Sequence, residues 1–235
     1  MNDQSLWFLE NIDVTVLFCP QKNAKAGGME RHIHKIYKKG EYIYLPEELS
    51  NKIFFLTEGR VKIGSYGEGG KEITKAILNK GEVFGELSLV GENKRRDFAY
   101  AMEDATVCAI SVEEMKSLMR DRSELNLFLL NIMGSRMLEL EQRLESLVFK
   151  DSRTRIVEYL YDLASKKGQK VGYETLVRKF LTHQEIANIT ATSRQTVNTV
   201  LNELRDKNVL TFDRRRMLVR DMDKLKKEME TPELA

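Results

Sequence analysis

Residues 182–206 read THQEIANITATSRQTVNTVLNELRD, a stretch that predicts two short helices joined by a tight turn. Thr182 with Glu185 three residues later has the spacing of a capping box, in which the two residues satisfy free amide groups at the start of a helix. Ser193 is a preferred N-cap residue for the second helix. Four apolar residues of that helix follow the spacing i, i+3, i+4 and i+7, so one side must face a core: Val197, Val200, Leu201 and Leu204. The stretch therefore predicts a helix-turn-helix, whose second helix fits the major groove of DNA.

The other side of the second predicted helix carries side chains that hydrogen-bond to base edges. Arg194 can contact a guanine through two bonds, and Gln195 and Asn198 can pair with adenine. Thr199 can meet the methyl group of thymine. The alternative is a helical hairpin with an uncharged, solvated face. Surface helices more often carry Lys and Glu, and this difference favours DNA reading by these four residues.

A basic hairpin follows the two helices. The β-rich runs 209–212 and 217–219 flank a turn that begins at Asp213, and they predict a wing. Residues 151–235 carry a net charge of +4 and residues 1–150 a net charge of −2, so the basic excess lies where phosphates would be contacted. We expect further DNA contacts, mainly to phosphates, from the helix starts and the wing: Thr182, Gln184, Ser193, Arg214, Arg215 and Arg216.

The composition indicates one large domain or two small ones with ordinary apolar cores. The chain has 235 residues, of which 42% are hydrophobic. Its two cysteines are too few for a disulfide framework or a four-thiolate cluster. There is no basic start before the apolar run 14–19, and no apolar run approaches the ~20 residues that span a bilayer. We therefore expect a cytoplasmic protein with no signal peptide and no membrane partner.

The histidines and cysteines support neither a metal site nor an enzyme. Cys19, His32 and His34 suggest a metal site, but their spacing matches no standard one, so an incidental or structural role is favoured. The three histidines of the chain stand in no recognisable catalytic motif. Residues 1–32 are otherwise hard to interpret, although the apolar residues from Trp7 to Ile12 suit a short helix.

Between His34 and Ile110, short β-rich runs alternate with turn residues. Glycine-containing turns separate most of the runs, and no helical period competes with the strand pattern. This arrangement is typical of an antiparallel β-barrel or jelly roll.

Beyond Ser111 the apolar spacing becomes helical, with a short helix predicted for 112–119 and a long one for 123–149. Six residues of the long helix are spaced 3, 4, 3, 4 and 3 apart, the pattern of a coiled-coil seam: Leu130, Met133, Met137, Leu140, Leu144 and Leu147. A second face with Leu125, Leu129 and Ile132 suits packing on the helix's own barrel. The whole helix either packs on that barrel or pairs with a second copy of the chain. We favour a homodimer, because a strict seam needs a partner helix.

The predicted fold is of the α+β class and has three parts. Residues 1–122 form the β-barrel or jelly-roll domain, 123–150 the coiled-coil dimerisation helix, and 151–235 a winged helix-turn-helix domain that begins with a helix near 154–164. The charged residues beyond Asp221 are expected to form a frayed helical tail.

This order of parts resembles the CRP/FNR superfamily of bacterial transcription regulators. Phe84-Gly85-Glu86-Leu87 followed by Arg95-Arg96 is similar to the family's phosphate-binding cassette. The family's DNA-reading motif resembles residues 182–204, and 39–40 and 58–61 look like its barrel hairpins. The resemblance covers about residues 33–220 and implies a cyclic-nucleotide-binding-like barrel attached to a DNA-binding domain.

The resemblance also implies an effector pocket at the cassette, formed by Gly85, Glu86, Leu87, Arg96 and Asp97. Gly85 allows close backbone approach, Glu86 can accept bonds from ribose hydroxyls, and Arg96 can fork onto a phosphate. Cyclic-AMP-binding members have a serine at the position of Asp97, whose charge opposes a cyclic phosphate. They also supply a Thr-Ser pair to the adenine where this chain has Leu140 and Glu141. These departures argue against cyclic AMP.

Other effectors of the superfamily need metal-binding side chains, so the numbers of cysteines and histidines limit which of them this chain could hold. Two cysteines cannot supply the cluster of the iron–sulfur oxygen sensors. A haem is weakly supported, because the available axial ligands are His32, His34 and His183, and the last lies in the DNA motif. No cofactor is therefore assigned, and either an unidentified small molecule in the barrel or no ligand at all remains.

The predicted function is transcription regulation through a palindromic DNA operator bound by a homodimer. RNA polymerase is a further candidate partner, although no polymerase contact can be recognised. The competing interpretation is a ligand-binding module whose helical domain contacts protein. The Arg, Gln, Asn and Thr face and the arginine wing favour DNA.

Overall fold

A computed structural model of the chain describes residues 8–9, 12–13 and 33–229. Contacts divide the chain into two compact units, residues 1–135 and 136–235. The boundary falls inside one long helix, which therefore contributes residues to both units.

The first unit, in its described residues, has two four-stranded antiparallel sheets as its main framework. Its strands are β1 (Phe8–Leu9), β2 (Ile12–Asp13), β3 (Ile33–Tyr37), β4 (Tyr42–Tyr44), β5 (Lys52–Glu58), β6 (Arg60–Tyr66), β7 (Glu72–Asn79), β8 (Val83–Phe84), β9 (Phe98–Ala101) and β10 (Ala105–Ser111). One sheet has the order β3-β10-β5-β8 and the other β4-β9-β6-β7. The antiparallel β architecture predicted from the sequence is confirmed.

Two apolar layers hold this unit together. Between the sheets, residues of alternate position such as Val61, Ile63 and Ala99 are buried against Leu56 and Val107. The period of two places successive side chains on opposite faces, so every second residue enters this core.

The second layer lies outside the sheet β3-β10-β5-β8, where helices α1 (Val112–Asp121) and α2 (Ser123–Phe149) cover it. Leu125 and Leu129 of α2 are buried there, and Ile132 packs against the layer, as the second apolar face of the long helix predicts. The predicted bounds of α2 are confirmed.

The short helix predicted between Trp7 and Ile12 is wrong for the residues that the structure describes there. Instead of a short helix, β1 pairs antiparallel with β2, with Leu9 opposite Ile12. Apolar residues at these positions suit either a helical turn or a small hairpin, and here cross-strand pairing prevails. Trp7, Cys19 and His32 lie outside the described residues.

The described part of the second unit, residues 136–229, contains the end of α2, four further helices and a four-stranded sheet. Its elements are α3 (Ser152–Lys167), β11 (Gln169–Val171), β12 (Glu174–Arg178), α4 (His183–Thr190), α5 (Arg194–Asp206), β13 (Leu210–Phe212), β14 (Arg216–Val219) and α6 (Met222–Lys227). The sheet order is β11-β12-β14-β13. The core includes the fully buried Ile156, Leu160, Ile186, Leu201 and Leu204. The predicted winged helix-turn-helix is confirmed, with β11 and β12 as strands that the sequence pattern did not indicate.

The prediction that the tail is frayed is wrong for the residues up to 229, where α6 is an ordered helix. Leu225 of α6 is fully buried, and Asp221 caps the helix by accepting bonds from the amides of Asp223 and Lys224. Glu228 forms ion pairs with Arg153 and Lys207. One buried leucine and these ion pairs order a segment whose composition alone suggests solvation.

Among the residues that the structure describes, no helix is long and apolar enough to cross a membrane.

Candidate nucleic-acid interface and effector pocket

Capping groups build the helix-turn-helix as the sequence predicts. Thr182 Oγ1 accepts a bond from the Glu185 amide at 3.2 Å, and Glu185 Oε2 accepts one from the Thr182 amide at 2.7 Å. After α4 the chain turns through Ala191, whose φ of 51° and ψ of 47° lie in the left-handed region. Ser193 Oγ then accepts from the Thr196 amide at 3.0 Å and starts α5. The turn between the helices is therefore short and tightly defined.

Helix α5 has the two unlike sides that DNA reading requires. Its apolar side is buried at Val197, Val200, Leu201 and Leu204. The four predicted base readers all lie on the exposed side: Arg194, Gln195, Asn198 and Thr199. Thr199 Oγ1 donates to the Gln195 carbonyl at 3.1 Å, so its hydroxyl is already hydrogen-bonded within the helix. The structure thus brings these four residues onto one accessible surface.

The polar groups at the helix starts already have partners inside the protein. The hydroxyl of Thr182 also donates to Glu185 Oε2 at 2.9 Å, and that of Ser193 bonds with Thr196 Oγ1 at 2.8 Å. Gln184 Nε2 donates to Asn188 Oδ1 at 2.8 Å. A phosphate at these positions would share groups that first serve as caps and helix contacts.

The wing presents its arginines unequally. Asp213 organises the turn: its Oδ1 accepts from the amides of Arg215 and Arg216, and its Oδ2 accepts from Arg216 Nε at 2.7 Å. These bonds, that from the Arg216 side chain first, lower the pKa of Asp213. Arg214 and Arg215 are exposed, and within residues 33–229 no side-chain hydrogen bond or ion pair is seen for either. They are the wing residues best able to meet a phosphate.

His183 is partly buried beside this surface, and the sequence pattern does not predict a DNA-reading role for it. Its ring lies edge-on to Phe212 of the wing, with 5.6 Å between ring centroids. Burial lowers its pKa first, and the nearby charge of Arg194 lowers it further. Both effects favour the neutral form of the imidazole ring. The sequence signal that could have pointed to His183 is its position directly after the N-cap residue Thr182.

The cassette at residues 84–97 is organised by a buried arginine. Gly85 has φ 75° and ψ 15° and precedes a 3-10 helix, Glu86–Val90. Arg95 is only 2% exposed; it donates to the Gly85 carbonyl at 3.1 Å and to the carbonyl of Lys52. A Cβ atom on residue 85 would lie 2.9 Å from Arg95 Nη1, so the close approach also requires glycine there.

The predicted pocket residues are not equally placed. Glu86 is buried, Leu87 is half-exposed, and the side chain of Arg96 is exposed. Asp97 Oδ1 accepts a bond from the Tyr44 hydroxyl at 3.3 Å. Lys75 Nζ lies 3.1 Å from Asp97 Oδ2 and forms an ion pair with it. Burial, followed by the charge of Asp97, raises the pKa of Tyr44 well above its ordinary value.

The seam of α2 is largely open to solvent in the single chain. Its residues Leu130, Met137, Leu140 and Leu144 are each 63% exposed, and Leu147 is 49% exposed. Met133 is partly buried. Large apolar side chains at such exposure on one helix stripe are typical of an interaction surface.

No group of three or more His, Cys, Asp or Glu side chains in the described part of the chain is arranged to hold a metal ion.

Comparisons with known proteins identify the family. Residues 34–122 match the model of a cyclic nucleotide-binding domain, and residues 154–228 match that of a Crp-like helix-turn-helix domain. The global nitrogen regulator of Nostoc sp. strain PCC 7120 is 30% identical over 185 residues, which are 78% of this chain and 83% of that protein. The chain belongs to the CRP/FNR superfamily. This superfamily consists of transcription regulators, not enzymes, and the chain is a DNA-binding transcription regulator of this type.

Further CRP/FNR relatives agree in sequence and in fold. The cyclic AMP receptor protein of Thermus thermophilus is 31% identical over 176 residues, which are 75% of this chain and 78% of that protein. The solved structure of a CooA mutant from Carboxydothermus hydrogenoformans superimposes with a TM-score of 0.75 at 29% identity, covering 85% of this chain and 88% of the other. The resemblance noted in the sequence is confirmed.

Proposed function

We propose that this regulator binds a palindromic operator as a homodimer and reads bases with Arg194, Gln195, Asn198 and Thr199. The observation that carries the proposal is the division of α5 into a buried apolar side and an exposed side of hydrogen-bonding groups opened by one arginine. Arginine pairs with guanine and an amide side chain with adenine, so each half-site is expected to contain a guanine with adenine or thymine beside it.

Phosphate contacts position the helix without choosing bases. Arg214 and Arg215 are the strongest candidates, because both are exposed and neither is engaged within the described residues. Arg216 forms an ion pair with Asp213 and is therefore a weaker candidate. Thr182, Gln184 and Ser193 are expected to add bonds at the helix starts.

The homodimer rests on the exposed seam of α2. Two copies related by a two-fold axis would bury the same apolar stripe on each helix, and the symmetric dimer would present two recognition helices to half-sites about one helical turn apart. We propose a cytoplasmic location in a bacterial cell, which the DNA-binding role supports. RNA polymerase is a proposed partner, since a regulator at a promoter acts on that enzyme.

The effector proposed for the barrel is a small molecule other than cyclic AMP. The matched domain supports a small-molecule site, and the Thermus thermophilus relative carries cyclic AMP in its name. In this chain, however, Asp97 is already held by Lys75 and Tyr44. A cyclic phosphate would have to separate the Lys75–Asp97 pair and then lie against a carboxylate, which is unfavourable.

The DNA part is tested by selecting bound sequences from random duplex DNA. We expect an enriched inverted repeat, bound with an affinity that falls steeply as salt is raised. Enrichment of a single unrepeated site, or of no sequence, would overturn it.

The effector part is tested separately by thermal unfolding with millimolar cyclic AMP. We expect the melting temperature to stay unchanged, whereas a ligand at a concentration 100 times its Kd stabilises by ~2.7 kcal/mol. A rise of several degrees would overturn this part and leave the DNA part standing.

A further inference from the structure

We infer that Arg143 of α2 is a positioning residue that ties the turn of the helix-turn-helix to the dimer seam. This inference rests on the proposed homodimer and adds a specific link between dimerisation and operator geometry. Arg143, the seam residues from Met137 onward and the whole helix-turn-helix belong to the same compact unit, residues 136–235.

Two arginines converge on the last carbonyls of α4. Arg143 Nη2 donates to the Ile189 carbonyl at 3.0 Å. Arg155 Nε donates to the Thr190 carbonyl at 3.0 Å, and its Nη2 lies 3.4 Å from the carbonyl of Ala191. Carbonyls at a helix C-terminus have no partner in the helix and carry its negative partial charge. Two guanidinium groups therefore cap α4 where it meets the turn.

The same two arginines reach this point from the region where α2 ends. Arg143 lies on α2 itself, and Arg155 Nη1 donates to the carbonyl of Lys150, the residue that follows α2, at 2.8 Å. Arg143 is partly buried, and this burial lowers the pKa of its guanidinium. The bond from Arg143 to the Ile189 carbonyl is thus a direct contact between α2 and the C-terminal end of α4.

Arg143 is also a neighbour of the seam residues along α2. Leu140, Leu144 and Leu147 lie three residues before it, one after it and four after it, and all three are about half-exposed or more. A second α2 helix paired along this stripe would fix the rotation of the helix that carries Arg143.

The turn passes this constraint to the DNA-reading surface. Only Ala191, Thr192 and Ser193 separate α4 from α5. Thr190 Oγ1 and Thr192 Oγ1 are 2.9 Å apart, and Ser193 caps α5. Because the turn is short and internally bonded, holding the end of α4 also holds Arg194 at the start of α5. The angle between the seam and the recognition helix therefore depends on the Arg143–Ile189 bond.

The experiment compares Arg143→Met with the unchanged protein and with Gln142→Ala, a control at an exposed neighbouring position off the seam. Arg143→Met keeps the apolar stem and removes the donors, and Arg143→Lys restores one donor without the planar fork. Three quantities are measured on the full chain: the dimer dissociation constant, the affinity for a single half-site duplex, and the affinity for palindromes whose centre is lengthened by one or two base pairs. The half-site comes from the selected operator.

For Arg143→Met we expect an unchanged dimer and a half-site affinity within about twofold of the original. Affinity for the correctly spaced palindrome should fall roughly tenfold, as for loss of one charge-assisted hydrogen bond. The preference for correct over lengthened spacing should shrink by a similar factor, with Arg143→Lys intermediate. If half-site and palindrome binding fall together, Arg143 only stabilises the fold and the inference is wrong. It is equally wrong if spacing preference is retained. If the unchanged protein binds palindrome and half-site alike, the proposed homodimer function itself fails, which is a separate result.

Discussion

At the scale of single residues, Arg95 and Arg96 show how neighbouring identical residues acquire different roles. The cassette motif directs attention to Arg96, which is exposed. Arg95 is instead buried, with its guanidinium carbon 4.6 Å from the ring centre of Tyr44 and 5.6 Å from that of Phe54. Arg95 and Arg96 lie in the loop that precedes β9, where no regular alternation decides which side chain turns inward. Sequence alone does not tell which one is inside.

Arg95→Met should destabilise the first unit, and Arg96→Met should not. The first change leaves the carbonyls of Gly85 and Lys52 without their donors, and we expect a loss of about 2 kcal/mol in the free energy of unfolding. The exposed Arg96 should change it by less than about 0.5 kcal/mol. Denaturant unfolding of the two variants measures both values; equal losses would contradict the structural role of Arg95.

Arg194→Ala should weaken operator binding by roughly 1–3 kcal/mol and relax the preference at one base pair. The reason is its position at the exposed start of α5, where a bidentate contact to guanine is accessible. Binding is measured on the selected operator and on its single-base variants. Arg214→Ala is the comparison, since loss of a phosphate contact should weaken all duplexes alike. A uniform loss for Arg194→Ala would reassign it to phosphate.

At the scale of elements, local signals were sufficient wherever they were strong. The capping box at Thr182, the cap at Ser193 and the apolar period of α2 each predicted an element that the structure contains. The strand β11 was not predicted, because all three of its residues are exposed and show no alternation of buried and exposed positions. A helical tail was predicted at α6, but its order was not, because that order comes from one buried leucine and from ion pairs distant in sequence. Such tertiary contacts leave no periodic trace.

An ion network at the end of α5 should make stability depend on pH. Arg153 bonds Glu203 and Glu228, and Lys207 bonds both carboxylates as well. The Arg153 hydrogen bond, followed by the one from Lys207, lowers the pKa of Glu203. Burial acts to raise the pKa of Glu228, but the bonds from Lys207 and Arg153 prevail and lower it. A depressed carboxylate pKa contributes stability that is present above the unfolded value and lost as pH falls through the folded value.

Glu228→Gln should therefore cost stability at pH 7 and little below the folded carboxylate pKa values. At neutral pH we expect a loss of about 1 kcal/mol, a modest value because the network is partly solvated. Thermal unfolding of both proteins from pH 7 down to pH 3 measures the difference, which should narrow on acidification. A difference that stays constant over this range would show that the Glu228 charge contributes nothing.

At the scale of the whole molecule, α2 belongs to both compact units and carries the seam along both parts. The seam leaves five large apolar side chains at least 49% exposed in the single chain. Burying them between two copies would remove a substantial apolar area from contact with water. This removal is the main driving force of association. The same pairing doubles the number of wing and helix groups that can reach one DNA duplex.

Leu144→Arg should convert the dimer into monomers and change the salt dependence of DNA binding. An arginine in the middle of the seam would bring two like charges together in an apolar interface, which is strongly unfavourable. Gln142→Arg adds the same charge off the seam and should remain dimeric. Sedimentation measures the mass, and titration at several salt concentrations measures binding. The slope of log affinity against log salt reports the number of phosphates neutralised, so it should fall to about half for the Leu144 variant, because one copy then makes all the contacts. A variant that stays dimeric with an unchanged slope would place the interface elsewhere on the protein.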